Sequence, residues 1–127
     1  MERYSKQRDD IWNSILSLNH PTMEDIINSV HENYPKIGIA TVYRNVKQFL
    51  EDGLLQKIFI NNIEYLDYNI SGHYHFYCYK CRKLTDVDIP YNNEFDKLLD
   101  NGSIVENHVV VFRGLCKNCI KNNLEEN

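Results

Sequence analysis

Apolar residues recur at helical spacing through the first half of the chain. A first helix is predicted within residues 6–18, with one apolar stripe formed by Ile11, Trp12, Ile15, Leu16 and Leu18. His20-Pro21-Thr22 interrupts this helix, and Thr22 followed by Asp25 resembles a capping box. The pattern therefore predicts a second helix with four inward side chains, Met23, Ile26, Ile27 and Val30.

A third helix is predicted from about Ile39 to Asp52, and Gly53 is suited to its C-terminal cap. The apolar face of this helix contains Val42, Val46, Phe49 and Leu50. The opposite face carries polar groups, from Thr41, Tyr43, Arg44, Lys47 and Gln48. Two β-rich runs, 54–60 and 63–68, then flank Asn61-Asn62, a pair that favours a hairpin turn.

Three helices followed by a hairpin is the order of a winged helix-turn-helix domain, whose third helix enters the major groove of DNA. The candidate DNA contacts are therefore the exposed polar residues of the third helix, Thr41, Tyr43, Arg44 and Lys47. A small helical domain that binds another protein is the alternative, and the pattern alone leaves it open.

The tripeptide Ile70-Ser71-Gly72 has the composition of a hinge, so we predict domains at residues 1–69 and 73–127. In the second domain, residues 73–80, 84–89 and 104–112 are predicted as strands and residues 92–101 as a helix. The expected fold class is α+β, with a small α/β second domain. A domain of about 55 residues is too small to be stabilised by its hydrophobic core alone, so it needs a cross-link such as a metal site, or a partner chain.

Composition is ordinary for a globular protein, with 43% hydrophobic and 25% charged residues. No apolar run approaches the roughly 20 residues that span a bilayer, and the polar start is unlike a secretory signal. A cytoplasmic protein without a membrane partner is expected. The net charge of −4 is unusual for a DNA-binding protein, but residues 33–50 contain three cations and no acidic residue. A solvated helix face explains the same cations.

The four cysteines form two CxxC pairs, Cys78 with Cys81 and Cys116 with Cys119. Close pairs in a reducing compartment indicate metal or redox chemistry rather than structural disulfides. A redox site needs one CxxC beside a βαβ pattern, whereas two pairs supply the four thiolates of a tetrahedral Zn²⁺ site. The sequence therefore predicts a structural zinc that ties the ends of the second domain together.

His73 and His75 lie two residues apart on a predicted strand. Side chains alternate along a strand, so both imidazoles face one side, about 6.5–7 Å apart along the backbone. At that separation they can bind one ion. Neighbouring aspartates could complete the ligand shell, and position alone leaves three candidates open: Asp67, Asp86 and Asp88.

Together these patterns resemble the ferric uptake regulator family of bacterial metal-dependent repressors. The resemblance covers almost the whole chain and rests on four motifs in order: His20-Pro21-Thr22, Ala40-Thr41-Val42-Tyr43-Arg44-Asn45, His73-Tyr74-His75 and the CxxC pairs. It implies a homodimer with a winged helix that binds double-stranded operator DNA, followed by a dimerisation domain stabilised by Zn²⁺. No organic cofactor and no enzymatic activity are expected.

The resemblance also implies a regulatory metal with five ligands: His20, Asp67, His73, His75 and Asp86. By position alone His20 would be a capping or surface residue, and His31 a surface residue, so the resemblance changes the expectation for His20. Three nitrogens and two carboxylates suit Fe²⁺ or Mn²⁺, with Zn²⁺ as a substitute. This ion would join the two domains across the hinge and make the dimer competent to bind DNA.

Within the family, a ligand set with two aspartates resembles the peroxide-stress regulators, in which bound Fe²⁺ reacts with H₂O₂ and a histidine ligand is oxidised. By analogy the oxidised ligand is His20 or His73. Tyr74 replaces an acidic residue of an additional metal site in iron-uptake regulators, and His108 aligns with another ligand of that site. A regulator of iron, manganese or zinc homeostasis without peroxide sensing is the alternative. A small metalloenzyme built on His73 and His75 is a more remote one.

Overall fold

The structure, a computed structural model, describes the backbone of residues 2–126 and the side chains of residues 6–122. It divides into two compact units, and the division lies between Ile70 and Ser71. The predicted hinge, residues 70–72, spans this division, whereas the outer limits of the predicted domains, Met1 and Asn127, lie outside the described residues. No described helix is long and apolar enough to cross a membrane.

The first unit contains three α-helices and a two-stranded antiparallel sheet. Its elements are α1 (Glu2–Leu16), α2 (Met23–Asn33), α3 (Ile39–Glu51), β1 (Gln56–Ile60) and β2 (Ile63–Asp67). The predicted capping box begins α2: the Asp25 N–H donates to Thr22 Oγ1 at 3.1 Å, and the Thr22 N–H donates to the Asp25 carboxylate at 3.0 Å. The predicted order of elements is confirmed.

Two local turn signals of the first unit are also confirmed. Gly53 has a φ of +75°, and the N–H groups of Gly53 and Leu54 donate to the carbonyls of Leu50 and Phe49. This pair of bonds satisfies carbonyl groups that the end of α3 would otherwise leave open. In the hairpin, Asn61 and Asn62 have φ values of +52° and +64°, as a tight turn between twisted antiparallel strands requires.

The core of the first unit lies between the helices and the hairpin. The buried side chains of this core come from the three helices, from β2 and from the loops beside α3: Ile11, Ile15, Ile26, Val30, Ile37, Val42, Val46, Phe49, Leu55 and Leu66. The ring of Trp12 packs edge-on against Phe49, with centroids 4.9 Å apart. One inward prediction is wrong, because α1 ends at Leu16 and that side chain is exposed.

The second unit is built on a three-stranded sheet in the order β4-β3-β5. The central strand β3 (Tyr74–Cys78) pairs antiparallel with β4 (Leu84–Val87) and parallel with β5 (Val111–Gly114). A short 3₁₀ helix (Asn93–Lys97) lies between β4 and β5, and α4 (Lys117–Glu126) follows β5.

Two predicted elements of the second unit are wrong in extent. The helix expected at 92–101 is only the 3₁₀ helix, and the strand expected at 104–112 begins at Val111. Helices of this length depend on packing of an apolar face. Here the apolar side chains of Phe95, Leu98 and Leu99 are exposed, so this unit provides no such packing.

Candidate metal centres

The four cysteines meet at one point of the second unit. Cys78 ends β3, Cys81 lies in the following turn, Cys116 precedes α4, and Cys119 lies within it. All four are free thiols, and the four Sγ atoms lie within 4.8 Å of one another. Cys78 and Cys119 are buried, whereas Cys81 is exposed. The strands and α4 thus bring together every cysteine that the sequence predicted.

The sulfur spacing agrees with tetrahedral zinc. Cys78 Sγ lies 3.6 Å from Cys119 Sγ, and Cys81 Sγ lies 3.8 Å from Cys116 Sγ. Zn–S bonds of about 2.3 Å place the sulfurs at corners of a tetrahedron whose edges are about 3.8 Å. A disulfide would require a separation of about 2.05 Å. The four thiols therefore have the spacing of ligands around one ion.

The acidity of two thiols also fits a cation site. A hydrogen bond with the Cys81 backbone, the largest of several contributions, lowers the pKa of Cys78 from 9.0 to about 6. Hydrogen bonding with the Cys116 side chain, together with burial, raises the pKa of Cys119 from 9.0 to about 12. The raised pKa of Cys119 means that, without a cation, the cluster retains a proton. Four thiolates at this spacing would also repel one another. A dication removes this repulsion and lets four thiolates coexist.

A second group of donors lies where β3 begins and pairs with β4. The antiparallel register places His75 opposite Asp86. Asp86 Oδ1 lies 3.2 Å from His73 Nε2 and 3.4 Å from His75 Nε2. Two atoms bound to one ion at about 2.1 Å are about 3.0–3.4 Å apart. These three atoms therefore have the spacing of ligands, and the register favours Asp86 over Asp88.

The hydrogen bond at His73 Nδ1 indicates that the other ring nitrogen, Nε2, is the one available to a metal. His73 Nδ1 lies 2.7 Å from the Ser71 carbonyl oxygen, which only accepts, so Nδ1 carries a proton and donates. In the neutral ring, Nε2 then presents a lone pair toward the Asp86 carboxylate. Two electron-rich atoms at this distance repel each other, and a cation between them removes the repulsion. Metal-bound histidines are oriented in this way by a backbone carbonyl on the second nitrogen.

The first unit contributes a separate pair, His20 and Asp67. The Leu66 N–H donates to the Pro21 carbonyl at 2.8 Å, which holds the loop after α1 beside the end of β2. As a result, His20 Nε2 lies 3.3 Å from Asp67 Oδ2, and both side chains are buried. His20 has a φ of +47°, a left-handed conformation that is uncommon outside glycine. The surface position that its place in the sequence suggested is therefore wrong.

The candidate DNA contacts lie on the face of α3 opposite the core. Tyr43, Arg44 and Lys47 are exposed, and Thr41 is half-buried. The Arg44 guanidinium donates to Thr41 Oγ1 at 3.2 Å. Lys57 of β1 lines a surface groove together with Tyr43, Arg44 and Lys47, although its ammonium group is paired with Glu64 at 3.2 Å. The sequence pattern did not indicate this additional cation.

His108, which the sequence left undecided, lies just before β5. Its Nδ1 is 2.8 Å from Asp96 Oδ1, and its Nε2 is 2.9 Å from the Tyr74 hydroxyl. Both ring nitrogens are therefore engaged by side chains of this unit. Nothing in the sequence pattern pointed to Asp96 as a partner, because no motif connects it to His108.

Comparison with known proteins agrees with this architecture. The model of the ferric uptake regulator family matches residues 2–112. The peroxide-responsive repressor PerR of Staphylococcus aureus (strain USA300) is 30% identical over 121 residues, which are 92% of this chain and 82% of that protein.

Among solved structures, the Campylobacter jejuni peroxide stress regulator has a TM-score of 0.76 at 26% identity, covering 92% of this chain and 91% of that one. The Helicobacter pylori ferric uptake regulator Fur has a TM-score of 0.74 at 18% identity, covering 91% and 80%, a likeness that shows the fold alone. On the extent of the family match and the agreement in sequence and fold, the chain belongs to the ferric uptake regulator family and is similar to its peroxide-responsive members.

Proposed function

We propose that this protein is a transcriptional repressor that binds operator DNA when a divalent metal occupies a regulatory site. The observation that carries the proposal is the group formed by His73, His75 and Asp86, whose donor atoms have the spacing of ligands around an ion. The exposed cations of α3, on a winged-helix unit, support DNA as the partner.

We assign the regulatory ion to five ligands, His20, Asp67, His73, His75 and Asp86. Each unit by itself offers too few of these donors for a complete shell: two in the first and three in the second. The family resemblance supports one shared ion. Mixed imidazole and carboxylate donors suit Fe²⁺ or Mn²⁺, and Zn²⁺ would bind as a substitute. The four thiolates would hold a separate, structural Zn²⁺.

A shared ion would act through the hinge at residues 70–72. An ion bound by donors from both units would favour the relative orientation of the units in which all five ligands reach it. Every other orientation of the units would be disfavoured. In a homodimer that orientation sets the separation of the two α3 helices, which must match successive major-groove faces. Loss of the ion would lower the fraction of binding-competent dimers and weaken DNA binding in proportion. A function on DNA places the protein in the cytoplasm.

The exposed apolar residues of the second unit support the homodimer. Ile104 is 91% exposed, and Leu98 and Val109 are each 71% exposed. Large apolar side chains concentrated on one segment of a small protein mark an interaction surface. We assign this segment, residues 98–110, to the contact with a second copy of the chain.

Peroxide sensitivity is proposed from the relatives named as peroxide-responsive and as a peroxide stress regulator. When bound, Fe²⁺ would supply the redox chemistry that cleaves the O–O bond of H₂O₂. Overall, one oxygen of H₂O₂ would be inserted at a ring C–H of His20 or His73, and the other would leave as water, so that H₂O₂ is the two-electron oxidant. The chain's own part is to present Nε2 of each imidazole to the ion, beside Asp67 for His20 and beside Asp86 for His73. An oxidised ring would lose its geometry as a ligand, so the ion and then the DNA would be released.

The proposal is tested by loading the zinc-containing protein with Fe²⁺ or Mn²⁺ and measuring binding to promoter DNA before and after low H₂O₂. We expect both forms to bind DNA, and only the Fe²⁺ form to lose binding while His20 or His73 gains one oxygen by mass spectrometry. Equal survival of both forms would support metal homeostasis without peroxide sensing. Absence of DNA binding with every metal would refute the regulator.

A matched pair of histidine variants tests whether His20 is a ligand of the regulatory metal. His20→Ala is expected to retain its zinc and its fold but to abolish metal-activated DNA binding. His31→Ala removes an imidazole from the last turn of α2 that is not among the proposed ligands, and it is expected to behave as the wild type. Equal effects of the two substitutions would contradict the ligand assignment.

A further inference from the structure

A group of side chains outside both metal centres surrounds His108 in the second unit. The Asp96 carboxylate can only accept a hydrogen bond, so His108 Nδ1, 2.8 Å away, carries the proton and donates. In the neutral ring Nε2 then accepts, and the Tyr74 hydroxyl donates to it at 2.9 Å. The Asn92 N–H donates in turn to the Tyr74 oxygen at 3.0 Å. This chain of hydrogen bonds has one consistent set of donors and acceptors.

Tyr91 extends the group toward the hinge. Its ring stacks on the His108 imidazole, with centroids 4.3 Å apart and planes 14° apart. Its hydroxyl lies 3.3 Å from the backbone N–H and 3.4 Å from the carbonyl oxygen of His108. A further contact is with Gly72, where a Cβ atom would lie only 2.9 Å from the Tyr91 ring. The Tyr91 ring is therefore in close contact with the backbone just before His73.

These contacts connect three segments that are far apart in the sequence: residues 72–74, residues 91–96 and residue 108. We refer to Tyr74, Tyr91, Asp96 and His108 as the His108 clasp. His73 lies between Gly72, which Tyr91 contacts, and Tyr74, whose hydroxyl has two partners. Because β3 begins only at Tyr74, His73 itself precedes the strand.

We propose that the His108 clasp positions the imidazoles of His73 and His75 for metal before any metal binds. The inference rests on the proposed regulatory site and adds two positioning residues to it, Tyr91 and His108. Side chains alternate along β3, so holding Tyr74 on one face of the strand fixes the direction of His75 on the other. His73 lies outside the strand, and the backbone on either side of it is held by the Gly72–Tyr91 contact and by Tyr74. The hinge immediately upstream would otherwise leave His73 free to reorient. Prior positioning removes an entropic cost from metal binding.

The clasp also gives His108 a role that needs no third metal. Both of its ring nitrogens are used, one by a carboxylate and one by a phenol, and the only other metal-binding type of side chain in the group is Asp96. The phenol of Tyr74 replaces an ion as the group that joins His108 to β3.

The test uses Co²⁺, which binds imidazole and carboxylate sites and reports ligand geometry through its visible absorption bands, added to protein whose four thiolates already hold zinc. Tyr91→Ala is expected to weaken Co²⁺ binding by about tenfold or more, the usual effect of removing groups that orient metal ligands. The visible bands of Co²⁺ bound to Tyr91→Ala should be shifted from those of the wild type. Without Co²⁺, the backbone amide hydrogens of residues 73–76 should exchange faster in this variant than in the wild type. Tyr91→Phe keeps the ring and should lie between Tyr91→Ala and the wild type.

A charge-matched pair separates the clasp from general electrostatics. Asp96→Asn removes the acceptor for His108, whereas Glu94→Gln removes the same charge from an exposed position of the same 3₁₀ helix. We expect weaker Co²⁺ binding and shifted bands only for Asp96→Asn, with unchanged zinc content in both. If Tyr91→Ala fails to fold, Tyr91→Phe and the comparison of Asp96→Asn with Glu94→Gln decide the question.

The outcomes are distinguishable. If the wild type binds Co²⁺ and the clasp variants bind it with the same affinity and spectrum, the clasp is only packing and the inference is wrong. If the wild type binds no Co²⁺ beyond the zinc site, the proposed regulatory site fails, and the clasp has no ligands to position.

Discussion

Removing the structural zinc should unfold the second unit while leaving the first one folded. In the second unit the described apolar side chains that are buried, other than cysteines, are Tyr74, Tyr77 and Leu84. The first unit has a core of ten buried residues. A structural Zn²⁺ contributes about 10–16 kcal/mol of binding free energy, which is comparable to the entire stability of a small domain. We therefore expect the second unit to depend on the proposed zinc for its folding, and the first unit to fold without it.

The size of the expected change follows from the helices. Of the 49 residues in the four α-helices, only the 10 of α4 belong to the second unit. Removal of zinc in reducing buffer should thus reduce the helical circular dichroism signal at 222 nm by about one fifth. Thermal unfolding of the remaining signal should still show the cooperative transition of the first unit.

Two cysteine substitutions distinguish metal binding from packing. Cys119 is buried and Cys81 is exposed, so a packing role would make Cys119→Ser far more damaging than Cys81→Ser. If both residues are zinc ligands, the two substitutions should destabilise the second unit to a similar extent. Added zinc should then restore the helical signal of the zinc-depleted wild type but not that of either variant. An unchanged spectrum after complete zinc removal, or a loss of more than half of the helical signal, would refute the reasoning.

Two further predictions concern the first unit. Lys47→Ala should reduce the slope of log K against log salt for DNA binding by about 1.8 per dimer, since each lost phosphate contact changes it by about 0.9. Lys6→Ala removes an equal charge from α1, where Lys6 is paired with Asp10, and should leave the slope unchanged; equal slopes for both variants would argue against α3 as the DNA contact. Phe49→Ala should destabilise the unit by about 3–5 kcal/mol, because Phe49 is 1% exposed and packs on Trp12. Urea unfolding measures this loss, and a change below about 1 kcal/mol would show that the site collapses around the missing ring.

Much of the first unit could be predicted because its signals are local. The capping box of Thr22 and Asp25 satisfies backbone groups within one turn, and Gly53 or Asn61 adopts its backbone angle without help from distant residues. The helical spacing of Val42, Val46 and Phe49 identifies a buried face in the same way. Such signals act between residues a few positions apart, so a sequence carries them in full.

The wrong predictions lie where local preference is weak. Residues 92–101 contain apolar side chains at plausible spacing, but nothing in the described unit covers them, and only one 3₁₀ turn forms. Leu16 fits the apolar stripe of α1, yet the helix ends there and its side chain is exposed. In both cases an apolar pattern shows which face could be buried, and only the tertiary packing decides whether it is.

By itself the sequence determined the cysteine pairs and the histidine pair, because CxxC and HxH spacing fixes donors within one turn or on one strand face. Only the tertiary structure decided that Asp86 faces the histidines, through the register of β3 and β4. It also joined His108 to Asp96 and Tyr74, residues whose positions in the sequence bear no regular relation. The physical reason is that strand register and loop packing depend on the balance of many distant contacts, which no short motif encodes.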